Sequence, residues 1–352
     1  MTMVEINRAV EASSLKLLQI SVPPVRYCLL RQVLDRDEND ISVQRTLKDC
    51  ASYPAKLKLL GRMNQDGTWP IPHNKQIAEE AGSGQPVGFT YRTMLWNLFM
   101  LSEYKAERSD GRIGASLEKM LGWQEDEGYI PGPWTDVIPV PYYNGYALYL
   151  MTRLGFQSDK RVKRLSDWLL SIQRMDGGWN KPFVMDLHYT PEFRAMRMRD
   201  FLKFVEERGW RSFDLKGLTQ YPSCAYTTMM VIWGIMQQPK VARSSAVRRG
   251  ADFILDRFFK RNPHPSYYMS EEHWTRLTYP YRFGSGLMAL DMLTELGYGP
   301  DDERMDRPIK WLLGARAADG MWSQSDRPHP ERDQFITLIA LRTLHRYSHM
   351  TK

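Results

Sequence analysis

The chain has 352 residues, 43% hydrophobic and 12% aromatic, enough for one large core in a single closed repeat architecture. Its net charge of +7 favours anionic partners such as diphosphates or acidic lipid surfaces; the Lys and Arg residues are scattered and no nucleic-acid motif stands out, so no nucleic-acid partner is expected. Three cysteines (Cys28, Cys50, Cys224) make no disulfide framework, the N-terminus lacks a secretion signal's apolar core, and no run nears the roughly 20 apolar residues of a membrane span, so a cytoplasmic location is expected.

In chain order, periodicity predicts helices of two kinds. Apolar ones, rich in small and aromatic residues, fall at Pro24–Leu34, Tyr91–Tyr104, Tyr143–Leu154, Cys224–Gln237, Arg282–Leu296 and Asp333–Tyr347. More charged ones alternate with them at Ile6–Leu18, Val43–Met63, Ile113–Gln124, Val162–Gln173, Val241–Phe259 and Asp306–Arg316. Such alternation predicts an inner and an outer layer, closing as an all-α, six-plus-six (α6/α6) toroid of helical hairpins over residues 1–352. Residues 185–220 form its main insertion, read as a lid or packing element ahead of a membrane contact.

The joints repeat. Leu154–Trp179 and Leu296–Trp322 both run from Leu-Gly-aromatic through a charged turn to Trp-Leu-Leu and Asp-Gly-x-Trp. A third copy ends at Trp69, and a weaker one ends at Ile130. Gly67, Gly128, Gly177 and Gly320 sit in the turns, where Gly accepts positive φ cheaply. A fifth, degenerate joint falls at Phe258–Tyr268.

Gln173–Trp179, QRMDGGW, resembles the QxxxGxW repeat of squalene and hopene cyclases. Met63 and Arg316 stand where that Gln is expected, and Ile130 replaces the Trp. VPPVRYCLLRQVLD and FTYRTMLWNLFMLSE also look like parts of bacterial squalene-cyclase-like repeat proteins. The resemblance implies a toroid of the terpenoid cyclase and protein prenyltransferase superfamily. It implies an apolar, isoprenoid-type substrate, with a diphosphate or another anionic head as an option. Against the prenyltransferase zinc pattern, Pro222 stands two before Cys224 where Asp is expected, and Ile336 in Asp333–Thr337 replaces the His. With two donors missing, and only His188 or His329 as substitutes, zinc is disfavoured. No Asp-Asp-x-x-Asp magnesium motif stands out, and magnesium use stays open. The nearest match to the class II acid motif, Asp35-Arg36-Asp37-Glu38, reads as a solvated turn between helices.

If the inner helices run parallel, their N-terminal ends gather on one face and attract anions. Candidate substrate-binding residues at or near those ends are Tyr91, Arg92, Trp96, Tyr143, Asn144, Cys224, Tyr226, Tyr281, Arg282, Arg327 and His329. Tyrosine faces there suit an apolar cavity and a carbocation, and equally suit packing between the layers, with the arginines paired to nearby carboxylates. Asp333 is the first candidate acid, and the same residue suits a helix cap. Asp186 and His188 are the second pair, in a loop or extended geometry because i, i+2 residues do not share a helix face. The leading expectation is acid-initiated cyclisation or isomerisation of a long apolar substrate. The alternative is a non-catalytic carrier of an apolar ligand with an anionic head, and a prenyltransferase is the third. Oligomeric state is left open.

Overall fold

The computed structural model describes residues 2–71, 88–132, 138–180, 183–213, 221–264, 271–280, 285–325, 327 and 329–350. Among these the chain is helical, with no strand beyond isolated bridges of Pro131 and Gly132 to Pro139. The inner layer comprises α2 (Pro23–Gln32), α5 (Phe89–Glu103), α7 (Pro141–Met151), α10 (Ala225–Ile235), α13 (Gly286–Glu295) and α15 (Pro330–His349). Around it lie α1 (Met3–Ile20), α3 (Ile41–Ala51) with α4 (Pro54–Gly61), α6 (Gly111–Leu121), α8 (Lys160–Ser171), α11 (Ser245–Leu255) and α14 (Asp306–Gly314). α10 is buried at every position, whereas α8 buries only Val162, Leu165, Ser166 and Leu169, one stripe of a charged helix.

Contacts run around a ring. α7 packs on α10 and α5, α13 on α15, and α15 on α2; α1 packs along α15 and joins the two ends of the chain. Lys16 of α1 reaches Asp319 at 3.0 Å across that seam. The tightest crossing is between α7 and α10, where a Cβ on Gly234 would sit 2.1 Å from the Gly145 carbonyl oxygen. Only two glycines let these backbones meet.

The repeated joints work as clamps. The indole N–H of Trp69, Trp179 and Trp322 donates to the carbonyl ten residues earlier (Leu59, Leu169, Leu312) at 2.9, 2.6 and 2.7 Å, tying each turn to its outer helix. The backbone of the same terminal position is gripped by an inner helix. Thr228 binds both N–H and C=O of Trp179, Thr337 those of Trp322, and Asn144 those of Ile130. Gln124 and Gln173 each donate to the turn Gly carbonyl and to the next outer helix, at Arg161 and Ala246. Arg316 does this work at the last joint, donating to Gly320 and to Ser13 of α1, so the departure from Gln falls at the seam. At the degenerate joint, Trp274 supplies the indole, donating to Lys260 at 2.8 Å.

Most boundaries shift from expectation by a few residues, and some shifts have a local cause. Val43–Met63 breaks between α3 and α4, because Pro54 disfavours helical φ/ψ at Tyr53. α11 starts only at Ser245, where Ser244 caps Val247. α13 starts at Gly286 rather than Arg282, capped by Ser285. The insertion carries a 3-10 turn (Phe183–Tyr189) and α9 (Met198–Arg208), with a small core of Phe193, Phe201 and Val205 closed by Ile138 from the start of α7.

Candidate functional site

The inner helices α5, α7 and α10 run parallel, and some of the expected residues meet at their N-terminal ends. Tyr142 lies 3.9 Å from Tyr143 and 5.2 Å from Tyr226 between ring centroids, and Tyr91 lies 6.2 Å from Tyr143. Arg92 stacks over Phe89 at 4.3 Å and bonds to Tyr143. The Tyr91 hydroxyl is buried with no partner among the described residues, and burial pushes it well above the usual phenol range. Trp96 is half-buried one turn further along α5.

Other expected residues have structural duties. Asn144 is the clamp on Ile130. Cys224 is buried at the start of α10, its Sγ accepting from Asn262 at 3.3 Å. Arg327 and His329 are exposed. Tyr281 and Arg282 lie outside the described residues. Asp35 of the Asp35–Glu38 turn is 71% exposed and meets His345 at 3.0 Å, the solvated turn expected for it.

The two candidate acids differ. Asp333 is half-buried, and its oxygens accept the N–H groups of Gln324 (2.8 Å) and His329 (3.1 Å), a cap at the start of α15. Asp186 is fully buried and is bound by Arg174 at 2.6 Å, His264 Nε2 at 2.9 Å and Asn180 at 3.2 Å. Arg174 and His264 are buried as well, and Tyr189 stands edge-on to His264. The pairing of Asp186 with His188 is corrected. In the 3-10 turn His188 points elsewhere, with Nε2 2.8 Å from the Met196 carbonyl and Nδ1 buried without a partner. The imidazole that reaches Asp186 comes from 78 residues away in sequence.

Towards the C-terminal ends, two stripes face each other across the interior. α5 presents Arg92, Trp96, Phe99 and Glu103; α7 presents Tyr142, Tyr146 and Tyr149, continued by Arg153. Steps of four, three and four keep each set on one helix face. Phe99 lies 5.9 Å from both Tyr146 and Tyr279, and Trp233 of α10 stacks on Tyr149 at 3.7 Å. Tyr279 stacks on Phe335 of α15 at 4.5 Å and donates to Glu103 at 3.1 Å. Burial raises the Tyr146 and Tyr149 hydroxyls far above the usual phenol range, so both remain protonated donors. Burial would also raise the Asp291 carboxyl, but Arg342 and Arg346 outweigh it and hold it below the ordinary value. Among the described residues, no three His, Cys, Asp or Glu side chains converge as a metal cluster. No described helix is long and apolar enough to cross a membrane.

No protein-family model and no curated protein sequence matches this chain. Solved structures do. A protein from Actinoplanes is similar at 15% identity and TM-score 0.45, over 85% of this chain and 74% of that one. The type II terpene cyclase MstE from Scytonema is similar at 15% identity and TM-score 0.30, over 87% and 98%. A variant of that cyclase, in complex with its substrate geranylgeranyl dihydroxybenzoate, gives 13% and 0.31 over the same shares. The ring assignment rests on the helix contacts and clamps described above.

Proposed function

We propose that this protein takes an isoprenoid or another long apolar molecule into its ring and acts on it as a terpenoid-cyclase-like enzyme, beginning cyclisation or isomerisation by protonation. What supports this is the aromatic interior: Phe99 of α5, Tyr146 and Tyr149 of α7, Trp233 of α10, Phe335 of α15 and Tyr279 form one connected cluster of rings. Aromatic faces are electron-rich and stabilise a nearby cation most strongly where water is excluded.

Asp186 is the acid this geometry favours over Asp333. A carboxylic acid that protonates an alkene leaves a carboxylate, and Arg174 and Asn180 already donate to that group. At rest Asp186 is the carboxylate paired with Arg174, and it takes up the proton it needs for each turnover from His264 Nε2, which shares the second contact. Asp186, Arg174 and His264 stand beside the start of α10, since Arg174 also binds the Tyr221 carbonyl and Asn262 links the His264 backbone to Cys224.

The test is product analysis by gas chromatography and mass spectrometry after incubation with squalene and a ladder of prenyl diphosphates, with and without magnesium. A cyclic hydrocarbon or alcohol is expected, lost in Asp186→Asn and kept in Asp333→Asn. Loss in Asp333→Asn alone would move the acid to α15. One observation favours a second function, a carrier of an apolar ligand: every oxygen of both candidate acids is already engaged by protein donors. Binding of these substrates without consumption would establish it.

A further inference from the structure

Arg153 is enclosed by other residues in the middle of the ring, yet keeps accessible surface. Cys28 of α2, Glu103 of α5, Tyr149 of α7 and Arg342 of α15 all lie within electrostatic reach of its guanidinium. A side chain that faces four inner helices and still meets solvent occupies the ring's opening at their C-terminal ends. The guanidinium lies over the Tyr149 ring, 5.8 Å from its centroid.

Its neighbours are committed. Arg342 and Arg346 both bind Asp291, and Arg346 also reaches Glu295 at 3.2 Å. Glu103 accepts the Tyr279 hydroxyl. Arg153 has no ion pair among the described residues, and neither the Tyr146 nor the Tyr149 hydroxyl has a hydrogen-bond partner among them. These three groups lie three and four positions apart on one face of α7 and its continuation, directly beside the aromatic interior. Uncommitted donors beside a cluster of aromatic rings are what the polar end of an apolar ligand requires.

We propose that Tyr146, Tyr149 and Arg153 form a recognition site for a carboxylate carried on a long apolar chain, with the chain lying among the aromatic rings. A single guanidinium with two neutral donors suits a monoanion. A diphosphate would bring two or more negative charges next to Glu103 and the C-terminal ends of the inner helices, both of which repel anions. This deepens the apolar-ligand function proposed above and rests on it. It places the head group at the end of the ring opposite to Arg92.

The test compares two isoprenoids of equal length, geranylgeranoate and geranylgeraniol, by isothermal titration calorimetry on the full chain. The acid is expected to bind about tenfold more tightly than the alcohol, the order of one charge-assisted contact. Arg153→Met is expected to remove that preference while leaving alcohol binding unchanged, and Arg153→Lys to retain part of it. Unchanged alcohol binding also shows that the variant is folded. Equal binding of acid and alcohol by the native protein would overturn the carboxylate site and leave the apolar-ligand function standing. So would an undiminished preference in Arg153→Met. Failure of both compounds to bind would overturn the site together with the function on which it rests.

Discussion

Asp186→Ala probes the most deeply buried charged group in this ring. The substitution removes a carboxylate at 0% exposure and leaves Arg174, at 3%, without its counter-ion. It also removes the acceptor for His264 at 2.9 Å and for Asn180 at 3.2 Å. Breaking a buried ion pair from one side costs about 3–5 kcal/mol, mostly for the stranded charge. That lowers the folding equilibrium constant by two to three and a half powers of ten, at about 1.4 kcal/mol for each. Urea unfolding, followed by circular dichroism and tryptophan fluorescence, reads the change as a lower midpoint at constant slope. The double variant Asp186→Ala with Arg174→Met is expected to recover part of the loss, with a coupling of about 2–3 kcal/mol against the two single variants, because it strands no charge. A loss below about 1 kcal/mol in Asp186→Ala would refute the reasoning, since that is the range of solvent-exposed pairs.

Gly234→Ala drives a Cβ to 2.1 Å from the Gly145 carbonyl oxygen, a backbone atom that cannot swing aside, so destabilisation at the upper end of the about 1–3 kcal/mol typical of overpacking is expected in thermal unfolding. Thr337→Val keeps the side-chain shape but strands the Trp322 N–H and C=O in the core; about 2–4 kcal/mol is expected, measured by urea unfolding, and less for Thr228→Val, because the Trp179 C=O keeps the Cys224 N–H at 2.9 Å. The Lys119 ammonium, and then the Thr68 hydroxyl, pull the Asp66 carboxyl down to about 2 from 3.8. Its folded value is below its unfolded one, so its stabilisation is present above about pH 4 and is lost as pH falls through about 2. Because Asp66 is 53% exposed the effect is small; an NMR titration should show it moving back up towards 3.8 in Lys119→Ala.

Much of the ring was legible in the sequence, because its information is local. The alternation of apolar and charged helices, the Asp-Gly turns and the Trp positions each follow from periodicity or from one residue's backbone freedom. The turn glycines Gly67, Gly128, Gly177 and Gly320 all adopt positive φ, between 80° and 103°. Gly155 and Gly297, in the two Leu-Gly-aromatic steps, also adopt positive φ, at 93° and 87°. Even the departures from the repeat carry meaning, since Arg316 replaces Gln at the seam with α1.

The interior was less legible. That Tyr91, Arg92, Tyr143 and Tyr226 stand close together follows from counting helix N-termini along the chain. That Phe99, Tyr146 and Tyr149 meet does not, although their spacing of three and four can be read from the sequence. Periodicity says that a helix face is special, not whether it looks inward to a shared space or outward to a neighbouring helix. His264 had no signal at all. It lies in the degenerate joint, and only the folding of the insertion brings Asp186 to it across 78 residues. The sequence alone thus determined the helices, their two layers and the turns between them, because hydrogen bonds and side-chain periodicity within a few residues decide these. The tertiary structure alone decided which charges meet, because burying Arg174, Asp186 and His264 together depends on chain closure over long loops, which no local pattern encodes.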